Sequence, residues 1–250
     1  MTDQDKTHFG FKQVPLAEKA GKVAEVFHSV ASKYDLMNDV MSLGSHRLMK
    51  QFAAELTSAR KGHIILDLAG GTGDLSARMS PMVGSEGQIF LCDINQSMLM
   101  QGRDRLLDDG IMENISFVQA DAEKLPFPDN YVNAITMAFG LRNVTRKEDA
   151  LKSMLRILKP GGRLVILEFS KPKNTIVKKA YDAFAGLWPK IGKQLTGDGD
   201  SYQYLVESIH MHPDQETLKK MMETAGFVKC EYHNLMNGIA AIHTGRKSRR

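Results

Sequence analysis

From residue 63 onward the chain alternates short apolar runs with helical stretches, and that alternation leaves few folds open. The runs are Ile64-Ile65-Leu66, Ile89-Phe90-Leu91, Ser116-Phe117-Val118, Ala134-Ile135-Thr136-Met137 and Leu164-Val165-Ile166-Leu167. Each is short, rich in branched or aromatic residues, and bounded by Gly, Asp or Pro. Strands buried on both faces read this way, which predicts a doubly wound α/β fold with helices on either side of a parallel sheet. Two further apolar segments, 227–232 and 238–243, flank Asn237-Gly238, a strong hairpin-turn signal. The expectation is a mostly parallel, seven-stranded sheet finished by a C-terminal antiparallel hairpin.

Outside the sheet the period changes. Val23, Val26, Phe27, Val30 and Tyr34 recur at steps of three and four within residues 18–36, one face of an amphipathic helix. Near the other end, Pro213-Asp214 opens a helix, Leu218, Met221, Met222 and Ala225 give its apolar face, and Gly226 stops it. No repeat and no Pro/Gly/Ser linker divides the chain. Residues 1–250 are therefore read as one domain, with a helical cap at 15–60 and an insertion at 171–212.

The segment Leu66-Asp67-Leu68-Ala69-Gly70-Gly71-Thr72-Gly73-Asp74 is a strand entering a glycine turn and then a helix. Glycines there allow a sharp bend and let a ligand lie against the backbone, so Gly71 is expected to touch it. The dinucleotide fingerprint is incomplete, because Ser76 stands where the third glycine belongs. Asp74 would also put a negative charge where a pyrophosphate should sit. Asp67, near the strand end, likewise suits a cationic ligand. Asp93, at the end of the next strand, can accept hydrogen bonds from two ribose hydroxyls. Asp121 beside the Ala122 N–H offers the acceptor and donor that an adenine edge requires. A nucleoside without phosphate and with positive charge points to S-adenosylmethionine.

Other chemistries lack their residues. No Gly-Lys-Ser/Thr follows the glycine turn, and neither H-E-x-x-H nor a Gly-x-Ser-x-Gly elbow occurs. His210 and His212 have no third ligand at a recognisable spacing, and Asp198-Gly199-Asp200 lacks the later ligands of a calcium loop, so no metal is expected. Two cysteines, Cys92 and Cys230, suggest a reducing compartment rather than a disulfide framework. The polar start of the chain is unlike a signal peptide, and no apolar run approaches the roughly 18 residues of a membrane span. The net charge of +4 is partly terminal, in Arg246, Lys247, Arg249 and Arg250. It reads first as a solvated tail, with contact to anionic lipid or RNA as the alternatives, since a nucleic-acid footprint would be a concentrated basic face.

The glycine turn resembles motif I of class I methyltransferases, and Leu158-Lys159-Pro160-Gly161-Gly162-Arg163-Leu164 resembles the turn before their fifth strand. More specifically, Tyr34-Asp35-Leu36-Met37-Asn38-Asp39, Phe139-Gly140-Leu141-Arg142-Asn143-Val144, Leu167-Glu168-Phe169-Ser170-Lys171-Pro172 and Met211-His212-Pro213-Asp214-Gln215 are similar to the ubiquinone/menaquinone biosynthesis C-methyltransferase family. The resemblance implies a Rossmann-like class I methyltransferase and cofactor contacts at Thr72, Asp93, Asp121, Ala122 and Ala138. Two of these depart from the family: many relatives carry Asn at position 121 and Ser at position 138.

The implied reaction is methyl transfer from S-adenosylmethionine to a ring carbon of a polyprenyl quinol. Arg142 is expected to stabilise the phenolate, Asn143 to orient the ring, and Tyr34 to cap the pocket. A lipophilic acceptor implies a cytoplasmic protein at the inner face of a membrane, a peripheral contact or a place in a quinone-biosynthesis complex, and no nucleic-acid partner. Monomer and homo-oligomer stay open. Ile176, Val177, Ala180, Tyr181, Phe184, Leu187 and Trp188 recur at helical spacing near Lys173, Lys178, Lys179 and Lys190. They make a lid over the prenyl chain, a membrane face, or a buried helix. A methyltransferase of another small molecule, or a non-catalytic nucleoside-binding module, are the competing readings.

Overall fold

The computed structural model describes residues 6–30, 38–39, 42, 44–197 and 199–249. The chain opens with a two-stranded hairpin, β1 (Lys6–Phe9) and β2 (Lys12–Pro15), followed by α1 (Leu16–Val30) and α2 (His46–Leu56). Then β3 (Ile64–Leu68), α3 (Asp74–Val83), β4 (Gln88–Asp93), α4 (Gln96–Asp108) and β5 (Ile115–Gln119) build one half of the main sheet. The other half is β6 (Val132–Ala138), α5 (Lys147–Ile157), β7 (Leu158–Phe169), α6 (Thr175–Ala185), α7 (Trp188–Thr196), α8 (Gly199–Met211), α9 (Gln215–Ala225), β8 (Val228–Leu235) and β9 (Ala240–Arg246).

The seven strands of the main sheet lie in the order β5-β4-β3-β6-β7-β9-β8, with β3, β4, β5, β6 and β7 parallel and β9 antiparallel to both neighbours. The expected parallel sheet with a closing hairpin is therefore what forms. Asn237 (φ 56°) and Gly238 (φ 92°) turn the chain between β8 and β9, the left-handed pair that Asn-Gly favours. Successive strand residues face opposite layers, as the period of two requires. Leu66 and Leu68 join α5 and α9 in one core, while Ile65 joins α3 and α4 in the other. Each such fully buried side chain contributes about 2 kcal/mol. Because β4 and β5 build away from β3 on one side and β6 and β7 on the other, a crevice opens at the carboxyl ends of β3 and β6.

Residues 6–15, which read as plain polar sequence, form a packed hairpin. Phe9 stacks on Tyr204 with ring centroids 4.3 Å apart, and Glu207 accepts a hydrogen bond from the Phe11 N–H at 3.0 Å, so the hairpin is pinned to α8. The basic end of the chain is also tied down: Lys247 donates to Asn130 Oδ1 and to the Arg156 carbonyl at 2.8 and 3.0 Å. Arg250 lies outside the described residues.

The aromatic spacing of 176–188 belongs to two helices, because α6 ends before Gly186 and α7 begins at Trp188. Trp188 is fully buried against Phe169, Tyr181 and Phe184, so it cannot rest on a membrane. Ile176 and Leu187 are the large apolar residues of this stretch that remain exposed.

Candidate active site

Backbone geometry makes one wall of the crevice. Ala69, Gly71 and Gly73 all have positive φ, which turns the chain from β3 into α3. The Gly70 N–H reaches the Cys92 carbonyl at 3.1 Å, tying this turn to β4. Helix α4 presses so close that a Cβ on Gly102 would stand 2.7 Å from the Gly71 carbonyl oxygen. Nothing local in the sequence singles out Gly102.

Asp93 sits where the strand-end reading put it. One carboxylate oxygen accepts the Gly71 N–H at 3.0 Å and the other accepts the Asn95 N–H at 2.9 Å. Burial pushes the carboxyl up to about 6, against the backbone N–H groups that hold it down. It is therefore mostly ionised at neutral pH. Asn95 in turn caps α4 through the Met98 N–H and donates to the Ala24 carbonyl at 3.0 Å, which draws α1 over the crevice.

The enclosed space, including its mouth, is about 840 Å³. Gly71, Asp93, Asp121, Ala122 and Asn143 line it together, with Ala20, Val23, Ala24 and Phe27 of α1 as a roof. Thr72, Ala138 and Arg142 are not among its lining residues. Thr72 instead has its hydroxyl 3.5 Å from an Arg105 nitrogen, and Ala138 is the last residue of β6, in register with Leu167. Asp121 caps a short turn at Ala122–Lys124 by accepting the Glu123 N–H. Tyr34 lies outside the described residues.

The expectation that Asp67 faces a cation is corrected. Its side chain is fully buried, accepts from Ser76 and Thr136 at 2.7 and 3.0 Å, and so ties β3 to α3 and β6. Asp74, at the start of α3, pairs with Lys50 and Arg78 at 3.0 and 3.1 Å.

The lining has a clear charge. Asp93, Asp121 and Glu123 contribute to it, and among the described residues no Lys, Arg or His does. Such a surface repels a phosphate and accepts a cation. That donor and acceptor set fits a sulfonium nucleoside. Among the described residues no group of three or more His, Cys, Asp and Glu side chains could hold a metal ion. Nor, among them, is any helix long and apolar enough to cross a membrane.

On the far side of the crevice, a turn at Leu141–Asn143 divides its own side chains. Asn143 faces the cavity and accepts a hydrogen bond from the Tyr204 hydroxyl at 3.0 Å. Arg142 turns the other way and is buried. Its guanidinium meets Glu168 at 2.8 Å and the Phe139 carbonyl, and Glu168 also accepts the Arg142 N–H at 3.1 Å. Glu168 was visible only as part of a family-like segment, and nothing in the sequence paired it with Arg142.

Comparison with known proteins agrees with this geometry. The ubiE/COQ5 methyltransferase family model matches residues 16–247. The chain is 62% identical to a ubiquinone/menaquinone biosynthesis C-methyltransferase UbiE of Pseudomonas fluorescens, across 99% of this chain and 100% of that one. It is 64% identical to a protein of the same name from Stutzerimonas stutzeri, over 96% and 94% of the two chains. Among solved structures, a SAM dependent methyltransferase from Aquifex aeolicus superposes with a TM-score of 0.60 at 18% identity, covering 84% of this chain and 97% of that one. At that identity the likeness speaks for the fold.

Proposed function

The chain belongs to the ubiE/COQ5 methyltransferase family, and from that premise we propose how its residues carry out methyl transfer to a polyprenyl quinol. It is an S-adenosylmethionine-dependent C-methyltransferase of ubiquinone and menaquinone biosynthesis. The observation that carries the residue-level reading is the cavity lined by three carboxylates and, among the described residues, no cation.

S-adenosylmethionine supplies the methyl group when bound. Asp93 would hold its two ribose hydroxyls, Gly71 would let it lie against the backbone, and Asp121 with the Ala122 N–H would read the adenine edge. Thr72, next to Gly71, and Ala138, between the lining residues Met137 and Phe139, would support these contacts from behind. The acceptor ring enters beneath α1 beside Asn143, which would hold a ring hydroxyl and fix the attacking carbon's approach. After a phenolic proton has been lost, the carbon–methyl bond would form as the methyl–sulfur bond breaks, with S-adenosylhomocysteine as the leaving group. The ring carbon would then give its proton to solvent while the oxygen regains one, which restores the aromatic quinol. A phenol of pKa near 10 gives up that proton more readily beside fixed positive charge. Arg142 would act on the phenolate through the low-dielectric interior, its guanidinium aligned by Glu168, and Tyr34 would close the pocket.

A lipophilic acceptor brings the protein to the inner face of a membrane as a peripheral contact. The exposed Ile176 and Leu187, with Lys173, Lys178 and Lys179 beside them, suit such a contact. Vesicle flotation that survives replacement of both apolar residues by Ser would refute this face. The function itself is tested by incubating the protein with methyl-labelled S-adenosylmethionine and reduced demethylated quinones. Label in the extracted quinone is expected, and a lipid fraction without label would overturn the reading.

A further inference from the structure

A second cavity lies behind the Gly140–Thr145 segment, of about 790 Å³ including its mouth. Its lining is the reverse of the first: Lys19, Arg142 and Lys147 contribute, with Glu148 as the carboxylate among them. Arg142 is already ion-paired with Glu168. The two lysines have no such pair among the described residues, although Glu168, Glu148 and Glu123 act on Lys147 from a distance.

Lys19 is 4% exposed, and its ammonium has one hydrogen-bond partner, the Val144 carbonyl at 3.4 Å. Lys147 donates to that same oxygen at 3.1 Å. Among the described residues neither ammonium has a carboxylate within 4.0 Å. An ammonium carries three donors, so most of this donor capacity has no acceptor from the protein. Burying two like charges around one carbonyl oxygen is costly, and a buried cation is ordinarily paired. Burial, followed by the charge of Lys147, pulls Lys19 down to about 8, which still leaves it mostly charged at neutral pH. Glu123 acts on Lys19 from a distance, but it is held by Arg146 at 2.8 Å.

We propose that this cavity is an oxyanion site that takes a phosphate group between Lys19 and Lys147. A phosphate monoester near neutral pH carries close to two negative charges and three acceptor oxygens, which matches two ammonium groups and their spare donors. A free phosphate monoester and the monoester headgroup of phosphatidic acid share this chemistry. The hairpin that walls the cavity through Thr7 and His8 also exposes Phe11, at 60%, next to it in the chain. The cavity shares Arg142 and Tyr204 with the methyl-transfer site, but the proposal does not rest on that reaction, and its readout is binding rather than turnover.

The test is calorimetry of the full chain with inorganic phosphate, and vesicle flotation with phosphatidic acid against phosphatidylcholine. Lys19→Met and Lys147→Met keep the apolar stems and remove the charges. Each variant is expected to weaken binding by about tenfold or more, the loss of a charge-assisted hydrogen bond. Should Lys19→Met fail to fold, Lys147→Met, at a less buried position, with S-adenosylmethionine affinity retained as proof of folding, carries the test alone. Binding of inorganic phosphate that falls in the variants assigns the site to a soluble phosphate compound. Binding of phosphatidic acid vesicles alone, again falling in the variants, assigns it to a headgroup. No binding of either probe by the parent protein, or binding undiminished in Lys147→Met, overturns the proposal.

Discussion

The two cavities on either side of the Gly140–Thr145 segment are opposite in charge. One is lined by Asp93, Asp121 and Glu123, the other by Lys19, Arg142 and Lys147. Two consecutive residues separate them, since Asn143 faces the first and Arg142 the second. A short turn can thus keep a cationic nucleoside and an arginine close together without letting them meet. The low-dielectric wall between them does not screen their fields as water would. What makes the wall rigid is Glu168, which holds both the backbone and the guanidinium of Arg142.

Removing that anchor should have the largest effect. Glu168→Ala is expected to cost about 3–5 kcal/mol of stability by leaving a buried guanidinium without its carboxylate. Chemical denaturation measures it, and a change under 1 kcal/mol, the range of an exposed ion pair, would show that the wall does not depend on this pair. Arg142→Lys keeps the charge but loses the forked geometry, so partial rescue of turnover relative to Arg142→Ala would separate electrostatics from folding.

Next comes the floor of the acidic cavity alone. Gly102→Ala places a Cβ 2.7 Å from the Gly71 carbonyl, so α4 must shift. A stability loss of about 2 kcal/mol is expected from overpacking, with weaker cofactor binding and the basic cavity unaffected. A crystal structure or melting curve indistinguishable from the parent would show that the turn yields freely.

The pH response should follow Asp93. Its carboxyl titrates near 6 in the free protein, and a ribose diol donates to the ionised form. Cofactor affinity should therefore be flat above pH 6 and fall below it, by about tenfold per unit once the acid is mostly protonated. The same raised value makes the ionised carboxylate a cost to folding at neutral pH, relieved as pH falls from 6 towards 4. Affinity constant from pH 8 to 5 would contradict the assignment.

Tyr204→Phe should do least. It removes the hydroxyl that Asn143 accepts from, at about 1 kcal/mol. Turnover should drop several-fold with cofactor affinity unchanged, and the opposite pattern would move Asn143 to the cofactor's side.

The difference between the two cavities also explains what the sequence revealed. Strands β3 to β7, the glycine turn and Asp93 follow from local pattern, because backbone bends and strand ends are written in consecutive residues. The acceptor wall is assembled across long separations: Tyr204 reaches Asn143 over 61 residues and Glu168 reaches Arg142 over 26. Periodicity carries no record of such pairs. Asp67 shows the limit from the other direction, since an acid at a strand end looks the same in sequence whether it meets a ligand or, as here, two neighbouring hydroxyls. Trp188 reads as an apolar face, and only the break at Gly186 decides that the face turns inward.

The most direct measurement is calorimetric titration of S-adenosylmethionine into the parent protein and Asp93→Ala at pH 7.5 or above. Loss of two charged hydrogen bonds should weaken binding by about a hundredfold, while Tyr204→Phe in the same buffer binds as the parent does. Equal affinities for the parent and Asp93→Ala would contradict the placement of the nucleoside at this strand end.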